Sequence, residues 1–381
     1  MHLRSLPGPA ACLLAVLASC ARAPAPVAFV ADGKPEHLSD WHLLDVAGGR
    51  LVPNAGVLPY DLVTPLFSDY AHKLRTVWMP AGQSAKYTAD KAFEFPVGTI
   101  LSKTFYYPRA GAADAVLKTD DPEPGSPAAG LDLSRVRLVE TRLLVRRADG
   151  WTVLPYVWNA DQSEAQLERT GDEKTLDLVD AQGRQKFTYV VPNENQCASC
   201  HVTNLKSGEF TPLGPKARNL NRTLAYADGS ENQIARWVRA GFLTGVPAGE
   251  LPRAADWRDV QQPIAERART YLDVNCAHCH QAGGTASNTS LRLDAQGPAD
   301  WSLGLCKPSV AAGKGTGDRI HDIVPGKPDE SILPFRLAST EGGVMMPELG
   351  RSTVHQEGVQ LIRDWIASMP GHCQTEAPLK D

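Results

Sequence analysis

The string Cys-x-x-Cys-His occurs twice and nowhere else, at Cys197-Ala198-Ser199-Cys200-His201 and at Cys276-Ala277-His278-Cys279-His280. Two cysteines three positions apart lie about one helical turn from each other, so both thiols can meet the two vinyl groups on one edge of a haem. The histidine that follows is then carried beneath the iron. A Cys-x-x-Cys pair alone also serves zinc ribbons and thioredoxin-like redox sites. Zinc needs four ligands, however, and pairing the two motifs across 79 positions (276 minus 197) leaves both following histidines without a role. The expectation is two covalently bound haem c groups, attached through Cys197, Cys200, Cys276 and Cys279, with His201 and His280 as proximal iron ligands.

The N-terminus reads as a targeting segment. Arg4 supplies a short positive region, an apolar run follows from Ala10 to Leu17, and Leu17-Ala18-Ser19-Cys20 closes it with small residues before a cysteine. This resembles a bacterial lipobox. The resemblance implies cleavage before Cys20 and its acylation, with Ala21-Arg22-Ala23-Pro24-Ala25-Pro26 as a tether; the alternative is an ordinary secretory signal. Either way the chain is exported, and the lipobox makes it a periplasmic lipoprotein anchored to the outer membrane. No later stretch approaches the roughly 18 uninterrupted apolar residues of a spanning helix, so lipid is the expected membrane anchor. Of the eight cysteines, Cys12 leaves with the signal, Cys20 is the lipid site and four lie in the motifs. Cys306 and Cys373 remain, and in an oxidising compartment a disulfide between them is expected.

The organisation expected over 381 residues is a signal peptide over 1–19, a tether over 20–34, a β-rich, sandwich-like domain over 35–192, and two all-α cytochrome c-like haem domains over 193–260 and 261–381, the first abbreviated. In the β-rich part, Arg135 to Arg147 and Trp151 to Trp158 flank Ala148-Asp149-Gly150 as a hairpin, with the arginines expected on a solvated strand face. Further strands are expected over Phe93–Leu101, Thr104–Tyr107 and Gln185–Val191. Asp120 to Gly130 reads as a Pro/Gly surface loop. Beyond Pro192 the period turns helical: Ile234, Trp237 and Val238 share a face before Gly241, Pro263 to Asn275 leads into the second motif, and Thr353 with Gln356 suggests a capping box for a last helix bearing Leu361, Ile362, Trp365, Ile366 and Met369.

For the second haem, Gly342 to Gly350 contains Met345-Met346-Pro347, and a thioether on the far side of the iron would raise its potential. Met346 is favoured over Met345 as sixth ligand; the alternative is that both fill the core. The first haem has no such loop, because His201 to Trp237 spans 36 positions against 85 from His280 to Trp365, and no methionine occurs between Met79 and Met345. Its candidates are His72, Met79, His42 and His355, or no ligand at all.

Taken together these residues resemble a family of bacterial dihaem c-type cytochrome lipoproteins of undefined role. The likeness is carried by both motifs, by Thr64-Pro65-Leu66-Phe67-Ser68-Asp69-Tyr70-Ala71, by the Glu140 to Arg147 stretch, by Pro192-Asn193-Glu194-Asn195-Gln196 and by Met345 to Gly350. Two ligated haems point to single-electron transfer between redox partner proteins rather than enzymatic turnover. Two other functions stay open: a dihaem peroxidase or oxidase using a vacant first haem, and a cytochrome subunit serving a partner dehydrogenase. A formal net charge of -4 with no Lys/Arg run argues against a nucleic-acid partner and for a basic docking partner.

Overall fold

The computed structural model describes residues 25–111, 114–119, 127–310 and 312–373. The signal segment, Cys20 and most of the Asp120 to Gly130 loop lie outside the described residues. The central element is a six-stranded antiparallel sheet in the order Ala165–Leu167, Gly150–Trp158, Val136–Arg147, Ile100–Pro108, His72–Trp78, Leu58–Tyr60. Arg147 pairs with Gly150, so Ala148 and Asp149 form the two-residue turn expected from the sequence. The strand expected over Phe93–Leu101 begins only at Ile100. Before it the chain turns: Thr99 N donates to Pro96 O at 3.2 Å, and Gly98 has φ +96° with no room for a Cβ, which would meet the Pro80 ring at 2.5 Å.

Alternation along the strands gives the sheet two unlike faces. One buries Leu74, Ile100, Tyr106, Leu143, Leu154 and Tyr156 against Trp41 and Leu43 from the N-terminal segment. The other is divided. At one end Phe105, Tyr107 and Val139 pack on the hairpin Asp172–Asp180/Gly183–Val191; at the other Val77, Leu101, Leu144 and Val153 share a core with Cys197, Ile234 and Trp237.

That shared core corrects the expected architecture. The described residues hold more strand than helix, and the six α-helices are short: α1 Glu194–His201, α2 Ala217–Leu220, α3 Gln233–Arg239, α4 Ile264–Asn275, α5 Ile332–Leu337 and α6 Gln356–Ala367. Two all-α cytochrome c-like domains are not present. The 193–260 stretch contains a β-hairpin, Thr223–Tyr226/Gly229–Asn232, and Leu243–Thr244 pairs in parallel with Ala85–Lys86. It has too few apolar residues to close a core and borrows the sheet face instead. Between α4 and α5 the chain runs through loops and 3-10 turns, and a disulfide joins Cys306 to Cys373. The helical periodicities hold locally, except that Val238, expected on the face of Ile234 and Trp237, is exposed. Asn232 caps α3 by accepting from Ile234 N and Ala235 N, Gly241 follows it at φ +75°, and α6 buries Leu361, Ile362, Trp365 and Ile366 against α4. The Thr353/Gln356 capping box does not form: the helix starts at Gln356 with His355 before it, and Gln356 N donates to Tyr70 OH at 3.2 Å.

The Thr64 to Ala71 segment fastens the sheet to everything after residue 192. Thr64 and Asn219 exchange two hydrogen bonds of 2.8 Å, and Thr64 Oγ1 donates to Ala255 O. Phe67 N donates to Asn275 Oδ1 at 2.9 Å, one residue before the second motif, and the Phe67 ring stacks on His355 at 4.2 Å. The Asp69 carboxylate accepts from Ser352 N, Thr353 N and Thr353 Oγ1, and Tyr70 OH donates to Glu357 Oε2. Asp69 and Tyr70 sit at φ +51° and +63°, a left-handed conformation costing about 1 kcal/mol each for side chains that do not favour it. No helix among the described residues is long and apolar enough to cross a membrane.

Candidate haem-attachment centre

Each motif is presented at a helix end. Asn193 caps α1, its Oδ1 accepting from Gln196 N at 2.8 Å while Gln196 Oε1 accepts from Asn193 N at 3.0 Å. This reciprocal box accounts for the Asn-Glu-Asn-Gln run before the first motif and places Cys197, Cys200 and His201 in the body of α1. The second motif turns off the end of α4, with Cys279 N and His280 N both donating to Cys276 O, at 3.2 and 3.0 Å.

The two histidines are set in the same way. His201 Nδ1 lies 2.9 Å from Thr211 O. A carbonyl can only accept, so Nδ1 carries the proton and Nε2 the lone pair. His280 Nδ1 lies 3.2 Å from Thr289 Oγ1, whose own proton goes to Ala286 O, so this ring also donates from Nδ1 and leaves Nε2 as the basic nitrogen. Burial pushes both imidazoles down to about 4, so each is neutral at pH 7, the form that coordinates a metal.

The structure brings the two motifs side by side. Cys279 Sγ is 3.5 Å from Ser199 O, Thr285 Oγ1 donates to the same carbonyl at 3.2 Å, and Leu205 N donates to Gly283 O at 2.8 Å. The Cys200 and Cys279 thiols are neighbours, and their interaction holds the Cys279 thiol well below its usual range and pushes Cys200 up. Burial raises Cys197 and pushes Cys276 up to about 12. Among the described residues no three His, Cys, Asp or Glu side chains stand close enough to cage a metal ion. The motifs therefore meet through a single pair of thiols, not as a four-ligand zinc cluster.

Between the sheet face, the loop Thr211 to Lys216 and the second motif lies a cleft of about 820 Å³, with His201 in its wall. That volume is in the range that encloses a large cofactor. Lys73, Arg75, Lys103, Arg142, Arg146 and Arg218 line it, and its cations outnumber its carboxylates. Burial pushes Lys103 down to about 7 and Lys73 well below its usual value, with neighbouring cations adding to both. Burial also works against the Arg142 charge, but Glu140, fully buried, more than offsets this through bonds at 2.7 and 2.5 Å. Arg75 Nε and Arg218 Nε are buried without hydrogen-bond partners. Orphaned guanidinium N–H groups in a cationic cleft suit a group that carries carboxylates, and haem propionates meet that description. The cleft thus offers a haem His201, an apolar floor and surplus positive charge, while the Cys197 and Cys200 thiols line the smaller cavity of about 90 Å³ that shares His201 with it; Cys276, Cys279 and His280 line neither.

The remaining candidates are distributed as follows. Met346 is half-buried, and its backbone is clamped by the buried Arg351, which donates to Met346 O and Ser339 O at 2.8 Å and to Thr353 O at 3.0 Å. Neither Met345 nor Met346 lines the cleft. His72 packs on Tyr106, on the sheet face turned away from the cleft. Met79 is buried in the same core as Cys197 but stays below the cleft surface. His42 lies in the N-terminal segment, and His355 is engaged by Tyr271 and Phe67. The arginines expected on a solvated strand face are instead largely committed. Arg142 faces the cleft, and the buried Arg147 donates to Gly33 O. Sequence reasoning did not find Lys73, Arg75 and Lys103, whose strand neighbours His72, Thr76, Ser102 and Thr104 are polar and so give no apolar alternation to mark the face. No family model matches the chain, and neither a curated protein nor a solved structure matches it.

Proposed function

We propose that the chain is a dihaem c-type electron-transfer protein, exported and held at the outer membrane by a lipid on Cys20, passing single electrons between redox partner proteins. The observation that carries this reading is the apposition of the two Cys-x-x-Cys-His strings, each with a buried, neutral histidine whose Nδ1 is tied to an oxygen. Each haem, when bound, supplies an iron that alternates between ferric and ferrous states. The chain does the rest: it fixes two imidazoles in one tautomer, screens them from water, and offsets propionate charge with sheet-borne cations. Met346, held through its backbone by Arg351, would serve with His280 in holding the second haem. Because the motifs meet through Cys200 and Cys279, the two attachment edges are neighbours, which favours transfer within the chain over two independent carriers. Redox titration of the haem-loaded, full-length protein checks this: two one-electron steps are expected, and an absence of reversible titration overturns it. The size of the cleft beside His201 favours a second reading, a peroxidase or oxidase admitting a small oxidant there. Peroxide consumption coupled to oxidation of a reduced partner would select it.

A further inference from the structure

The two motifs differ at one informative position: the residue before the second cysteine is Ser199 in the first and His278 in the second. The first motif lacks a methionine loop, and the second carries a histidine it does not need for its own iron. Among the described histidines, only His201 and His278 line the large cleft. Both also line the smaller cavity of about 90 Å³ that touches Cys197 and Cys200, as does His355, whose Nδ1 is held by Tyr271 OH at 3.0 Å and whose ring stacks on Phe67. We infer that His278, delivered by the second motif, supplies the second axial ligand of the iron held by His201; this rests on the dihaem reading above.

The alternatives are otherwise engaged. Lys73 Nζ donates to Leu66 O at 2.9 Å, Met79 is core, and His72 is on the wrong sheet face. The His278 ring does lie against the Cys279 thiol. Haem attachment converts that thiol to a thioether, which has no proton and is a poor acceptor, so the contact is given up when the second haem is attached. The His278 ring then faces the cleft it shares with His201, free of the thiol contact. Lys103 is the competitor, since among the described residues its Nζ has no hydrogen bond or ion pair and it lines both cavities.

The test is low-temperature EPR of the oxidised, full-length protein, with haem counted per chain in every sample. Two low-spin irons are expected in the unaltered protein. His278→Ala should turn one of the two high-spin at an unchanged count of two haems, and added imidazole should restore it. Lys103→Ala should leave both low-spin. If His278→Ala keeps both irons low-spin, or if Lys103→Ala is the change that produces the high-spin signal, the inference fails. Should the alanine variant lose a haem, 15N-histidine labelling of the unaltered protein decides: two imidazole nitrogens on one iron support the assignment, and one on each iron overturns it. A haem count of zero in the unaltered protein would instead sink the dihaem reading itself.

Discussion

Asp69→Ala breaks the clasp between the sheet and the methionine loop. The Asp69 carboxylate accepts from Ser352 N at 2.8 and 2.9 Å, from Thr353 N at 2.7 Å and from Thr353 Oγ1 at 2.8 Å, and Asp69 is 2 % exposed. Removing it orphans three buried donors at about 1–3 kcal/mol each. Two effects oppose this. Burial raises the Asp69 pKa, so the charge is incompletely compensated and its removal recovers some desolvation cost, and water can reach the freed loop. The lower end therefore applies, about 3 kcal/mol in all, or roughly a hundredfold in the opening equilibrium. Asp69→Asn keeps an oxygen for the three donors but turns an amide N–H toward Ser352, so a smaller loss is expected. The readouts are urea unfolding and protease cleavage within 345–353. The pH dependence has a definite sign. A carboxylate whose folded pKa is raised favours the folded state most when protonated, so the advantage of the natural protein over Asp69→Ala is largest in acid. It shrinks as pH rises from the ordinary carboxylate value through the raised one. Equal stability of the two proteins, or a gap that widens with rising pH, refutes the reasoning.

Other perturbations follow from the same contacts. Arg351→Ala strips donors from Met346 O, Ser339 O and Thr353 O and should destabilise the loop by about 2–4 kcal/mol, weakening the sulfur-to-iron charge-transfer band assigned to Met346 while the haem count stays at two. Lys216→Ala leaves Asp273, 9 % exposed, without its partner at 3.1 Å and should cost about 3 kcal/mol in unfolding experiments; adding Asp273→Asn should restore part of it. Cys306→Ser opens a loop closed over a sequence separation of 67 and should lower stability by about 4 kcal/mol, an effect that added reductant reproduces in the natural protein.

Local sequence signals were read well where a residue's own neighbours decide its conformation. The Ala148-Asp149 turn, the Asn232 cap, the apolar face of α6 and the helix leading into Cys276 all depend on contacts within a few positions. What failed depends on distant partners. Residues 193–260 look helical by period, yet Trp237 and Ile234 find their core on a sheet built from residues 58–158, and no periodicity reports that. The capping box at Thr353 was plausible by spacing, but the Gln356 N–H goes instead to the Tyr70 hydroxyl, 286 positions away. The Thr64 to Ala71 segment was noticed for its likeness to a family, not for its work as a clasp; the unusual backbone at Asp69 and Tyr70 is visible only in three dimensions. The two Cys-x-x-Cys-His strings are plain in the sequence, while the meeting of Cys200 with Cys279 and the cationic sheet face had no linear signature.

The central claim is that both strings, Cys197 to His201 and Cys276 to His280, carry haem. Intact-mass spectrometry of the protein exported in cells that mature c-type cytochromes, together with Cys197→Ser/Cys200→Ser and Cys276→Ser/Cys279→Ser, tests it directly. The account predicts two haems on the natural chain and one on each double variant. A natural chain with no added haem, or one haem that is lost with only one of the two pairs, contradicts it.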